Sequence, residues 1–124
     1  MKIIVSKSGG KTTADALLRY LNYIKHKQSV KCIVTTDQPF NLDELRDWCS
    51  NNNVTFHRYA WPEAVFGPYM AEKLCNDDIL KRHADADMVI LLDTSSASSD
   101  LLSKALSKGI KVVNYGKFIS PTTI

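Results

Sequence analysis

Two short segments concentrate the chemistry in this sequence. The first, Ser6-Lys7-Ser8-Gly9-Gly10-Lys11-Thr12-Thr13, follows the apolar run Ile3-Ile4-Val5. The second, Asp93-Thr94-Ser95-Ser96-Ala97-Ser98-Ser99-Asp100, follows Met88-Val89-Ile90-Leu91-Leu92. Each reads as a strand that stops at a polar turn and continues as a helix. A junction of that kind leaves backbone N–H groups unpaired at a helix N-terminus with hydroxyls beside them, where phosphates and other anions bind readily. Two such junctions in one short chain point to a domain that handles nucleotides.

Each candidate residue has a competing structural role. Gly10-Lys11-Thr12 ends as a P-loop ends, but that motif needs a glycine five residues before Gly10, where this chain has Val5, so an NTPase is excluded. What remains is an anion cradle of Ser6, Ser8, Gly9 and Gly10 amides with Lys11 nearby, set against a Gly-Gly pair that simply makes a tight turn. Asp93 is placed either to orient a ribose hydroxyl or act as an acid or base, or to cap the turn that follows it. Thr94, Ser95, Ser96, Ser98 and Ser99 supply more hydroxyls than one N-cap uses. Trp61, Phe66 and Tyr69 can stack on a base or pack a loop onto the domain. Asn76-Asp77-Asp78 sits within a helical pattern that Asn and Asp do not favour. A solvated face accounts for the two acids and leaves Asn76 as a ligand candidate. No Ser-His-Asp or Cys-His constellation can be assembled.

Bulk properties narrow the class. At 124 residues the chain is expected to form one domain, residues 1–124, with a single continuous core. Its 44% hydrophobic and 23% charged content is that of an ordinary globular protein. The formal charge of +3 is mild, and Lys25-His26-Lys27 at the end of a predicted helix complements the helix dipole. No basic stripe with interleaved aromatics argues for nucleic acid. Cys32, Cys49 and Cys75 are far apart and odd in number, each in an apolar pattern, which predicts buried free thiols in a reducing compartment. His26, His57 and His83 lack metal-ligand spacing, so neither a metal nor a cofactor is expected. The N-terminus enters a strand at once and no apolar run approaches ~20 residues. The expectation is a cytoplasmic protein with no membrane partner.

The elements that must position these residues alternate along the whole chain. Strands are predicted at 2–6, 31–36, 54–59, 87–93 and 111–115. Helices are predicted at 12–26, from Asn41 as N-cap (with Glu44 completing a capping box) to Asn51-Asn52-Asn53, at 69–82 and at 97–108, with Gly109 closing the last. Leu17, Leu21 and Ile24 form the buried stripe of the first helix, and Leu42, Leu45, Trp48 and Cys49 that of the second. Residues 60–68 read as a loop, because Trp61-Pro62-Glu63 and Phe66-Gly67-Pro68 interrupt the pattern. Strands separated by helices must pair in parallel, with helices covering both faces. This predicts a single doubly wound α/β (Rossmann-like) domain with a five-stranded parallel sheet. Its ligand crevice lies beyond the carboxyl ends of the strands.

The second half of the chain resembles a known superfamily. Gly67-Pro68, Leu74-Cys75-Asn76-Asp77-Asp78-Ile79-Leu80 and Ala84-Asp85-Ala86-Asp87-Met88-Val89-Ile90 resemble the SLOG superfamily, in particular its small YspA/YpsA-related branch. That branch carries a "GP…RN…ML…ADAVIAF" run. Ala105-Leu106-Ser107-Lys108-Gly109 matches the end of the family's last helix, and Ser6–Gly10 resembles its opening turn. Three departures stand out. Thr35-Thr36-Asp37-Gln38-Pro39 replaces the family's glycine-rich loop after the second strand, Cys75 stands where an arginine precedes the asparagine, and Ala97-Ser98 replaces Gly-Thr. The serine-rich turn is also similar to that of nucleoside deoxyribosyltransferases, but their early nucleophilic Glu corresponds to Asp100-Leu101-Leu102. The Pro-Glu pair of LOG-type phosphoribohydrolases is not matched, since Pro62-Glu63 falls too early.

The resemblance implies a module that binds a nucleotide or an ADP-ribose-like compound, as a sensor or as a small phage- or plasmid-type accessory protein that sequesters it. Ser8, Gly9, Gly10, Ser96, Ser98 and Ser99 would meet phosphate, with Asn76 and Asp93 on ribose or base. The alternative is an enzyme acting on an N-glycosidic bond, which needs a carboxylate at the anomeric carbon. Asp93, Asp100 and Glu63 are the candidates. A third reading is an interaction protein that retains the fold without a ligand. A homo-oligomer is expected in each case.

Overall fold

The computed structural model describes residues 1–5, 11–36, 42–59, 63–91 and 96–114. The elements run β1 (Lys2–Val5), α1 (Lys11–Lys27), β2 (Cys32–Thr36), α2 (Leu42–Asn51), β3 (Thr55–Tyr59), α3 (Glu63–Phe66), α4 (Pro68–Arg82), β4 (Met88–Leu91), α5 (Ser96–Ser107) and β5 (Lys111–Asn114). The strands form one sheet in the order β3-β2-β1-β4-β5. Every pair is parallel, as expected for strands joined through helices.

Side-chain alternation along the strands divides the core into two layers. Ile3, Val5, Ile33, Met88 and Ile90 face one side, where Leu17, Leu21 and Ile24 of α1 and Leu45, Trp48 and Cys49 of α2 cover them. Ile4, Cys32, Val34, Val89 and Leu91 face the other, against Cys75, Ile79 and Leu80 of α4 and Leu101 and Ala105 of α5. Ile3, Ile4, Ile33, Val34, Val89 and Ile90 are all fully buried. Continuous apolar runs are what strands covered on both faces require. Among the described residues, no helix is long and apolar enough to cross a membrane.

The turns follow from local chemistry. Asn53, past the end of α2, has φ 56°, and Gly109, past α5, has φ 75°, left-handed values that Asn and Gly adopt at little cost. The N–H of Ile110 then donates to the Ala105 carbonyl at 3.0 Å and closes the end of α5. Asn41, the expected cap of α2, lies outside the described residues.

One expectation needs correction. The stretch predicted as a loop through Pro68 contains the single helical turn α3, and Pro68 is already the first residue of α4. Proline is well accommodated there, because the first helical N–H has no intrahelical partner to lose. Gly67 separates the two helices at φ 77° and ψ 157°, a region in which essentially only glycine is unstrained.

The amino-terminal edge of the sheet is tied by the Ala84-Asp85-Ala86-Asp87 run. The backbone N–H of Lys2 donates to Asp87 Oδ2 at 2.8 Å, and the N–H of Asp87 donates to the Lys2 carbonyl at 2.8 Å. Lys2 Nζ also meets Asp85 Oδ1 at 2.8 Å. These acids therefore hold β4 in register with β1, at the end of the sheet remote from the expected crevice.

Candidate functional site

In a parallel sheet all carboxyl ends lie on one edge, and the ligand crevice opens where strand order reverses. Here β1 is flanked by β2 and β4, so the chain leaves toward opposite sides from adjacent strands at the β1/β4 boundary. Ile4 pairs with Val89 and Val5 with Ile90, and the two polar junctions depart from the ends of these two neighbours. Their helices begin at Lys11 and Ser96, and α1 and α5 lie on opposite faces of the sheet.

The sequence candidates distribute unevenly over this frame. Ser6, Ser8, Gly9, Gly10, Asp93, Thr94, Ser95 and Trp61 lie outside the described residues. Lys11 opens α1, and Ser96, Ser98 and Ser99 lie in the first turn of α5, Ser99 exposed. Glu63 opens α3 beyond the end of β3, two strands away from the β1/β4 boundary. Phe66 is 41% exposed on α3.

Two candidates from different segments are brought together. Asn76 is buried at 4% exposure, and its Nδ2 donates to Asp100 Oδ2 at 3.2 Å. Lys104 Nζ donates to the same oxygen at 2.8 Å and pairs with Asp77 at 2.6 Å. Burial pulls the Lys104 ammonium down, but its hydrogen bonds to Asp100 and Asp77 outweigh that and hold its pKa above the ordinary range. The network joins α4 to α5 and engages the Asp100 carboxylate with two donors. Replacing Asp100 with Ala removes the acceptor that Asn76 Nδ2 uses and should lower unfolding free energy by about 1–3 kcal/mol. Asp100→Asn, which keeps an oxygen in place, should cost less. Urea titrations of the two variants check this.

A second cluster went unforeseen. His57 and Tyr59 alternate onto one face of β3, and His83 follows the end of α4. The Tyr59 hydroxyl and His83 Nε2 share a hydrogen bond at 2.9 Å, and the two imidazole rings lie 5.3 Å apart. The Arg82 guanidinium sits over the Tyr59 ring at 5.9 Å. His83 is buried, and its Nδ1 has no hydrogen-bond partner among the described residues. The only sequence signal was the His-x-Tyr alternation, which is silent about a residue 24 positions further on.

Burial lowers the His83 pKa below its ordinary 6.5, and the Lys2 ammonium and His57 add to the effect. The unfolded chain therefore binds more protons than the folded one below about pH 7. Stability should be full above about pH 7.5 and fall as the pH drops through the mildly acidic range. Urea midpoints between pH 7.5 and 5.5 test this, and His83→Gln should flatten the slope.

The cysteines provide no nucleophile. Cys32, Cys49 and Cys75 are buried free thiols. Burial pushes Cys49 up to about 12 and Cys75 up to about 11, so neither forms thiolate near neutral pH. Among the described residues, no group of three or more His, Cys, Asp or Glu is placed to hold a metal ion.

No protein-family model matches the chain, and no curated protein does. Among solved structures, the chain is similar to apo histidine-tagged saccharopine dehydrogenase (L-Glu forming) from Saccharomyces cerevisiae, with a TM-score of 0.54 and 15% identity. The match covers 97% of this chain and 22% of that one, so the chain spans about a fifth of the enzyme's length. At this identity the likeness establishes the fold alone, and it agrees with a Rossmann-like α/β domain.

Proposed function

We propose that this chain binds a nucleotide or nucleotide-derived, ADP-ribose-like molecule in the crevice beyond β1 and β4, and acts as a sensor or sequestering module of the SLOG type. One observation carries the reading. The strand order β3-β2-β1-β4-β5 makes the β1/β4 boundary the switch point, and the two glycine- and hydroxyl-rich junctions both leave from that boundary. Backbone amides at the starts of α1 and α5 then serve phosphate, with Lys11 beside them. Ser6, Ser8, Gly9, Gly10 and Lys11 come from one junction, and Asp93, Thr94, Ser95, Ser96, Ser98 and Ser99 from the other.

Two of the three candidate carboxylates, Asp100 and Glu63, favour binding over cleavage, and Asp93 lies outside the described residues. Asp100 is engaged by Asn76 and Lys104, and Glu63 belongs to the β3 side of the sheet, so neither supports a nucleophile at an anomeric carbon. Calorimetric titration with ADP-ribose and with nucleoside monophosphates, alongside chromatography for released base, tests the proposal. Saturable binding without base release is the expected result. Base release would replace the reading with the hydrolase, and absence of binding across the panel would overturn it.

A further inference from the structure

The opposite edge of the sheet carries a groove of about 490 Å³ between the C-terminal ends of α1 and α2, lined by Lys25, His26, Lys27, Ser29, Lys31 and Asn52 among others. Among the described residues, no carboxylate lines it. Lys2, Arg46, Arg82 and Lys104 each have an acidic partner, while Lys81, Lys108 and Lys111 are scattered cations with none among the described residues. Lys25, Lys27 and Lys31 have none among the described residues: Lys25 donates to Asn52 Oδ1, Lys27 lies over the Tyr23 ring at 5.0 Å, and Lys31 is exposed.

Helix dipoles account for part of this charge. Two helix C-termini contribute about half a negative charge each. Three lysines exceed that by about two charges, and all three line the groove. We infer that this groove is a second anion site, distinct from the crevice at the carboxyl ends, that takes a compact ligand with two or more adjacent phosphate groups.

Several features define the ligand class. Ammonium groups act as point charges that meet phosphate oxygens, as a P-loop lysine does. The volume exceeds what one oxyanion fills and lies within the usual range for small-molecule sites. Among the described lining residues, Val30 is apolar and is itself buried.

Titration of the full chain with inorganic tripolyphosphate at 0.15 M salt, followed by calorimetry, tests the site. Saturable binding is expected, weakened about five- to tenfold by each of Lys25→Gln, Lys27→Gln and Lys31→Gln. Lys108→Gln, at an exposed lysine just past the end of α5, should leave it unchanged. Circular dichroism and thermal melting of each variant confirm that the fold is retained. Absence of saturation, or an equal loss in Lys108→Gln, would overturn the proposal. So would tighter binding of a 12-residue oligothymidylate that the same three substitutions abolish. Retention of ADP-ribose binding by the three variants keeps this result separate from the fate of the proposed nucleotide crevice.

Discussion

Truncating Ile3 or Ile4 to alanine should each lower the free energy of unfolding by about 2–5 kcal/mol, the range for a fully buried branched side chain whose cavity cannot collapse. Both residues are 0% exposed, although they are consecutive on one strand and therefore point to opposite faces. Ile3 packs in the layer made by α1 and α2, and Ile4 in the layer made by α4 and α5. A sheet with one solvated face would give one large and one negligible effect, so equal losses report directly on the two-sided architecture. Domains of this size are typically stable by only about 5–15 kcal/mol, and the double variant should be largely unfolded at 37 °C. Urea titrations monitored by the fluorescence of Trp48, which is buried against α1 with its indole N–H donating to Asn22 at 2.8 Å, provide the measurement.

The elements were legible for the reason that makes these substitutions costly. Strands buried on both faces must be continuously apolar, and the runs at Ile3-Ile4-Val5 and Met88–Leu91 have no competing reading. Strand order was not legible. Each helix obliges its flanking strands to be parallel, but the same alternation of strands and helices fits more than one order. Only the pairing of β1 with both β2 and β4 locates the switch point. The single turn α3 was missed because a four-residue helix between prolines and a glycine carries no measurable period.

Side-chain partnerships were less visible than the elements. Asn76 was singled out for sitting in a helix it does not favour, and in the fold it is buried and donates to Asp100 on another helix. That bond bridges 24 residues and leaves no mark in local pattern. His57 and His83 were set aside for lacking ligand spacing, and the fold nevertheless brings their rings within 5.3 Å of one another, tilted by 40°. Lys25-His26-Lys27 was explained by the dipole of its own helix. That account omitted Lys31 and the end of α2, which has no basic residue in its own last turn and meets Lys25 through Asn52.

The proposed nucleotide crevice makes the most demanding prediction, because it requires two segments 80 and more residues apart to serve one ligand. Ser8→Glu places a carboxylate after β1, and Ser95→Glu places one after β4. Each should weaken ADP-ribose binding by about 10- to 100-fold, the cost of losing a hydrogen bond to a charged phosphate and adding a like charge. The losses should shrink as ionic strength rises, since screening acts on the repulsive part. If both loops touch the same diphosphate, the double variant will lose much less than the product of the single effects, because the second substitution acts on a ligand already displaced. Independent loops would instead give multiplicative losses, and a loop remote from the ligand would give none. Calorimetry on the four chains of this cycle separates these outcomes. Only strong coupling is compatible with a single pocket at the boundary between β1 and β4, because that coupling requires one diphosphate to bridge the two strand ends.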